Sequence, residues 1–189
     1  MAHVTLVSQP KGLLRRYAWH SSRKMFGKVV EPVQASAHHS GVLMASGALE
    51  TVVAKRWTTL DAHLKWLALQ ATSTAIGCSW CIDFGYYEGV QRGVPVAKVR
   101  DVGRWRDSDV YDDRERLVLE YADAVNSTPS AVTDDLAARL RSTFSEKEIV
   151  ELAGWVALEN MRSRFNAGLG LRSEGFAETC EVPLSVAAG

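Results

Sequence analysis

Cys78 and Cys81 are the residues of this chain whose types and spacing most directly permit chemistry. They stand in AIGCSWCIDFGYYE, residues 75–88, as a C-x-x-C pair preceded by a glycine and followed by a stretch that reads as a helix. Residues three apart on a helix share a face, so the two sulfurs can meet and form a disulfide. A helix opening near Cys78 would turn unpaired N–H groups and the positive end of its dipole toward that sulfur, which favours a thiolate. That is a redox geometry. The competing reading is two small buried residues at a helix start, since free cysteine is commonly buried and inert. A structural zinc site wants about four ligands, and no second C-x-x-C is present, so we expect neither a metal nor a cofactor. Cys180 is isolated and reads as a lone thiol.

The pair would need a group to exchange protons with. Helical spacing carries the cysteine stripe through Gly85 to Glu88, which makes Glu88 the nearest local carboxylate, while Asp83 points well away from it. His63 precedes the pair on what reads as the preceding helix, and His38 and His39 lie further upstream, in a segment the sequence alone does not place. A single histidine is more often a surface or hydrogen-bonded structural residue than a catalyst.

The elements that must hold these groups are helical. Apolar residues from Leu13 to about Val30 suggest a first helix with Leu14, Tyr17, Ala18, Met25 and Phe26 on a broad apolar face, and Pro32 ends it or starts the next element. A second runs through Val42, Leu43, Leu49, Val52 and Val53, with Gly47 inside it at a cost of about 1 kcal/mol relative to alanine. Thr59 or Asp61 can cap the next, whose apolar positions Leu64, Leu67, Ala68, Ala71 and Ala75 recur at three and four before Gly77. Between 89 and 113 the periodicity fades into a polar connector with at most short helices, which we expect to separate two helical halves of a single all-α domain spanning residues 1–189. Beyond it, Asp113–Asn126 forms another amphipathic stretch, and Ser145 with Glu148 makes a capping box that opens a long helix to about Leu169. On that helix Glu159, Arg162 and Asn166 share one stripe, and Asn160 and Arg164 form an i, i+4 pair; the expectation for such polar groups is a solvated face. No β-type alternation competes, so the fold class is all-α.

The segment from about Leu60 to Glu88, an amphipathic helix leading into G-C-x-x-C, resembles the core motif of the carboxymuconolactone decarboxylase superfamily, in its alkylhydroperoxidase-D-like branch. The resemblance implies an alkylhydroperoxidase-D-like helical bundle, association into a homo-oligomer, and a thiol-dependent reaction with a small-molecule hydroperoxide or a reductant protein as partner. In that branch a Glu stands twelve residues before the first cysteine and a His four after the second. Here those positions hold Trp66 and Gly85. By the same resemblance the attacking thiol would be Cys81 and the resolving one Cys78. The second half, from Glu115 through Gly170, also looks like the superfamily's C-terminal region, with Asn160 and Arg164 matching an Asn-x-x-x-Arg element that implies packing or a subunit interface. Two other readings remain open: a lactone decarboxylase or related lyase on the same fold, which needs no C-x-x-C, and a non-catalytic binding scaffold.

Bulk properties exclude other classes. Twenty-two basic residues balance 22 acidic ones, so nothing electrostatic suggests a nucleic-acid partner. The basic run Lys11–Lys24 reads as a solvated helix face or an arm docking on a neighbouring subunit. No apolar run approaches the ~20 residues that span a bilayer, and the N-terminal residues lack the apolar block of a secretory signal, so we expect a cytoplasmic protein with no membrane partner. In a reducing compartment a lone C-x-x-C is more naturally reactive than a staple. Six tryptophans, Trp66 and Trp80 among them, suggest largely apolar surroundings for the cysteines.

Overall fold

Helix follows helix throughout the computed structural model, which describes residues 2–179. The expectation about Cys180 falls outside those residues. Nine α-helices and two short 3-10 turns account for the regular structure among them, and no strand is present. The described residues divide into two compact units, 2–58 with 168–172, and 59–167 with 173–179.

The smaller unit contains α1 (Leu13–Phe26), α2 (Glu31–Ser36) and α3 (Ser40–Arg56). Helix α1 stops at Gly27, a left-handed C-cap, short of the expected Val30. Its face is also narrower than expected. Trp19 is buried with Ala37 and Leu43, whereas Tyr17 and Met25 stand mostly in solvent. Arg16, Arg23 and Lys24 of the basic run are exposed. His39 caps α3, accepting from the Val42 N–H through Nδ1 at 3.2 Å, and His38 Nε2 lies 2.7 Å from the Thr5 carbonyl.

The larger unit holds α4 (Ala62–Ile76), α5 (Ser79–Gln91), α6 (Val96–Asp101), α7 (Asp113–Asn126), α8 (Asp134–Thr143) and α9 (Glu146–Gly168), of which α9 contributes all but its last residue. Asp61 is the cap of α4, its carboxylate accepting from the N–H groups of His63 and Leu64. Thr59 instead gives its own N–H to buried Glu151 at 2.8 Å. The capping box of Ser145 and Glu148 opens α9 as its spacing suggests. A second box, Asp112 with Glu115, opens α7. The polar stretch 89–113 carries α6 and a 3-10 turn over 102–107, where Asp101 gathers Arg100, Arg104 and Ser108. Helix α8 fits a Thr133 cap and acidic Asp134 and Asp135 in its first turn. No described helix is long and apolar enough to cross a membrane.

Candidate active site: a dithiol at the start of α5

The turn between α4 and α5 sets the position of the first cysteine. Gly77 adopts φ 76° and ψ 28°, a left-handed conformation that costs glycine nothing and disfavours other residues. It closes α4 by donating its N–H to the Ser73 and Thr74 carbonyls, and the Cys78 N–H follows onto Ser73 at 3.1 Å. The chain then re-enters helix with Cys78 as N-cap of α5. The Cys78 sulfur takes the place that a Ser or Asp oxygen usually fills and accepts the Cys81 N–H at 3.3 Å.

Both cysteines are reduced and buried. The Cys81 thiol hydrogen-bonds to the Cys78 sulfur, and this, with the Cys81 backbone N–H and the Ser163 hydroxyl, outweighs burial and brings the Cys78 thiol down to about 7. The same shared proton, reinforced by burial and by the nearby carboxylate of Glu159, pushes Cys81 up. One sulfur is thus poised as thiolate and its neighbour holds the proton.

Helix α9 supplies the wall opposite the pair. Asn166 Nδ2 lies 3.4 Å from Cys81 Sγ. The Ser163 hydroxyl, fully buried, donates to Glu159 Oε1 at 2.7 Å and also reaches both sulfurs. Glu159 is only 6 % exposed, lies close enough to Cys81 to act electrostatically on its thiol, and receives Arg162 Nη1 at 3.4 Å. Burial raises its carboxyl above the ordinary range, with Arg162, Ser163 and Cys81 pulling in the other direction. The solvated face expected for Glu159 and Asn166 is therefore a buried one. The missed signal was periodic: Leu152, Trp155, Val156 and Leu158 are buried on the same helix, and positions 159, 163 and 166 continue that face at three and four. Asn160 and Arg164 behave differently, bonding to each other at 3.3 Å, while Asn160 also holds Asn126 of α7 at 2.6 Å.

The proton-exchange candidates read from the sequence are engaged elsewhere. Glu88 binds Arg92 one turn on, at 2.7 Å. His63 Nε2 meets Glu115 at 2.5 Å, where Lys98 binds the same carboxylate oxygen. His38 and His39 belong to the smaller unit and make the local bonds given above. Among the described residues, no group of three His, Cys, Asp or Glu side chains is arranged to hold a metal ion.

At the two positions that depart from the branch pattern, the side chains meet. Trp66 donates its indole N–H to the Gly85 carbonyl at 2.8 Å. Gln70, from the next turn of α4, donates to the Ile82 carbonyl at 3.2 Å. A methyl group at Gly85 would stand 2.0 Å from Gln70 Oε1, and one at Gly89 would stand 2.6 Å from two carbons of the Trp66 ring. Asp83, on another side of α5, is buried and takes the N–H groups of Glu174, Phe176 and Ala177 at 2.7–3.0 Å. With Phe176 edge-on to Trp80 and Phe84, it ties the segment 173–179 to α5.

The carboxymuconolactone decarboxylase family model matches residues 42–124, which span α4, α5 and most of α7. The uncharacterized protein YnjA of Escherichia coli (strain K12) is 28% identical over 171 residues, covering 90% of this chain and 92% of its own. A protein of unknown function from Agrobacterium tumefaciens, ATU0492, described as a putative antioxidant defence protein AhpD, superposes with a TM-score of 0.69 at 26% identity, covering 74% of this chain and 94% of that one. The debrominase Bmp8 shares the fold with a TM-score of 0.81 at 20% identity, over 93% and 94% of the two chains. Over residues 42–124 the chain matches the carboxymuconolactone decarboxylase family, and its helical fold is similar to that of AhpD-like proteins.

Proposed function

We propose that this protein is a thiol-dependent oxidoreductase whose Cys78–Cys81 pair cycles between dithiol and disulfide. Its oxidant is a hydroperoxide or the disulfide of a partner. The observation that carries this reading is the Cys78 sulfur at the N-cap of α5, accepting the Cys81 N–H and sharing the Cys81 thiol proton. Such a sulfur is nucleophilic near neutral pH.

This placement favours Cys78 as the attacking residue and Cys81 as the resolving one, the reverse of the order the family resemblance implies. With a hydroperoxide, the Cys78 thiolate attacks the terminal oxygen. The O–O bond breaks, the alkoxide takes a proton and leaves as alcohol, and Cys78 becomes a sulfenic acid. The Cys81 sulfur then attacks Cys78, the S–O bond breaks, and hydroxide leaves with a proton as water. A dithiol reductant returns the pair to its starting state by two thiol–disulfide exchanges. With a disulfide oxidant the first product is a mixed disulfide on Cys78, which Cys81 resolves in the same way.

The test is an intact mass and free-thiol count of reduced protein before and after one equivalent of cumene hydroperoxide or oxidised glutathione. The expected result is a loss of two hydrogens in the wild type, with a trapped sulfenic acid or a lasting mixed disulfide in Cys81→Ser and neither in Cys78→Ser. If both thiols stay reduced with either oxidant, the reading is wrong and a binding scaffold replaces it.

A further inference from the structure

The family's Glu and His have no counterpart at Trp66 and Gly85, and the space beside them is filled by an indole and an amide. A dithiol that closes to a disulfide must still release the proton of its second thiol. The carboxyl group best placed to take it stands on a different helix, outside the residues that the family model matches.

We propose that Glu159 of α9 is the proton acceptor for Cys81 when the disulfide closes, with Ser163 orienting its carboxylate. The geometry has three parts. Glu159 lies close enough to Cys81 for its carboxylate to act on the thiol. Its Oε1 is held by the Ser163 hydroxyl at 2.7 Å, and that hydroxyl also reaches both sulfurs. Asn166, two turns from Glu159 on the same face, holds the Cys81 sulfur from its amide at 3.4 Å, fixing the thiol beside the carboxylate. The titratable and charged groups facing Glu159 are Cys81 from α5 and Arg162 from its own helix, with the Cys78 sulfur beyond Cys81.

Cys81 S–H gives its proton to the Glu159 carboxylate while its sulfur forms a bond to Cys78. The Cys78 bond to oxygen, or to the partner sulfur, breaks, and the electron pair departs with hydroxide or thiolate. Glu159 passes the proton to that leaving group and is a carboxylate again. The burial that lifts the Glu159 carboxyl brings it closer in proton affinity to the groups it serves, which is where general acid–base exchange is most effective.

This inference rests on the dithiol reading above, and the experiment separates the two. Reduced wild type and Glu159→Gln are mixed with oxidised glutathione across a pH series. Mixed disulfide on Cys78 and closed Cys78–Cys81 disulfide are quantified by acid quench and mass spectrometry, and Cys78 alkylation by iodoacetamide is timed in parallel. Glu159→Gln is expected to close about 100-fold more slowly, to accumulate the mixed disulfide, and to lose the acid limb of the closure profile, with Cys78 alkylation changed less than about threefold. Glu159→Asp keeps a carboxylate and is expected to recover most of the rate with a displaced acid limb. It also serves as the deciding variant should the glutamine chain not fold. Closure at the wild-type rate with an unmoved acid limb, in whichever of the two variants folds, overturns the role of Glu159 and leaves the dithiol reading standing. A wild-type pair that never oxidises overturns both.

Discussion

Two stretches of one helix, a turn apart, carry opposite solutions to the same packing problem. At its start, α5 presents Cys78 and Cys81 to a polar patch of α9 made of Glu159, Ser163 and Asn166. In its middle it presents Gly85 and Gly89 to Trp66 and Gln70 of α4, with backbone and indole so close that no side chain fits at Gly89. The first stretch keeps polar groups buried because each has a partner, and no described buried side-chain nitrogen or oxygen lacks one. The second is sealed by contact area. The first stretch thus has buried polar side chains beside it, whereas the second has an indole and the end of an amide side chain.

That contrast can be broken from the packed side. Trp66→Ala removes an indole only 2 % exposed together with its bond to Gly85, and is expected to cost about 3–5 kcal/mol in urea unfolding. Gly89→Ala drives a methyl into the rigid ring and is expected to cost about 1–3 kcal/mol, against a helix-propensity gain of about 1 kcal/mol. Gly85→Ala meets only the tip of Gln70, which can swing aside, so the propensity gain should leave its stability within about 1 kcal/mol of wild type. Gly85→His, which restores the family residue, should lose stability and gain no thiol reactivity. A Gly89→Ala protein as stable as Gly85→Ala would show that the Trp66 ring is not fixed.

From the other side the contrast sharpens with pH. Glu159 is raised in the folded state, so its contribution to stability is complete below the unfolded carboxyl value and is lost as pH rises through the folded one. Wild type should therefore lose stability relative to Glu159→Gln on going from acid toward neutral pH, and the gap should then stay constant. Paired urea titrations across that range read this directly, and a gap independent of pH would mean that the carboxyl is not buried in the way described.

Much of this was legible in the sequence because the signals were local. The Ser145 and Glu148 box, the glycine before Cys78 and the three-residue cysteine spacing each specify their own backbone, and α9 and the α4–α5 turn follow from them. The pairing of Cys78 with Cys81 needed nothing beyond one helical turn. What was not legible depended on which face of a helix meets another. Glu159 and Asn166 have the residue types of a solvated stripe, and only contact with α5 makes them interior. The same holds for Asp83, whose partners lie more than 90 residues away. The pairing of Glu88 with Arg92, one turn further on, was by contrast within reach of helical spacing alone. Tyr17 and Met25 show that helical periodicity alone does not say how wide the buried face is.

The measurement that tests the central claim most directly is the pH dependence of iodoacetamide alkylation of the reduced protein, with the modified cysteine assigned by peptide mapping. The account predicts first modification at Cys78, with a rate rising through a midpoint of about 7, and no reaction at Cys81 in the same range. First modification at Cys81, or a Cys78 midpoint at the value of an ordinary thiol near 8.5, would contradict it.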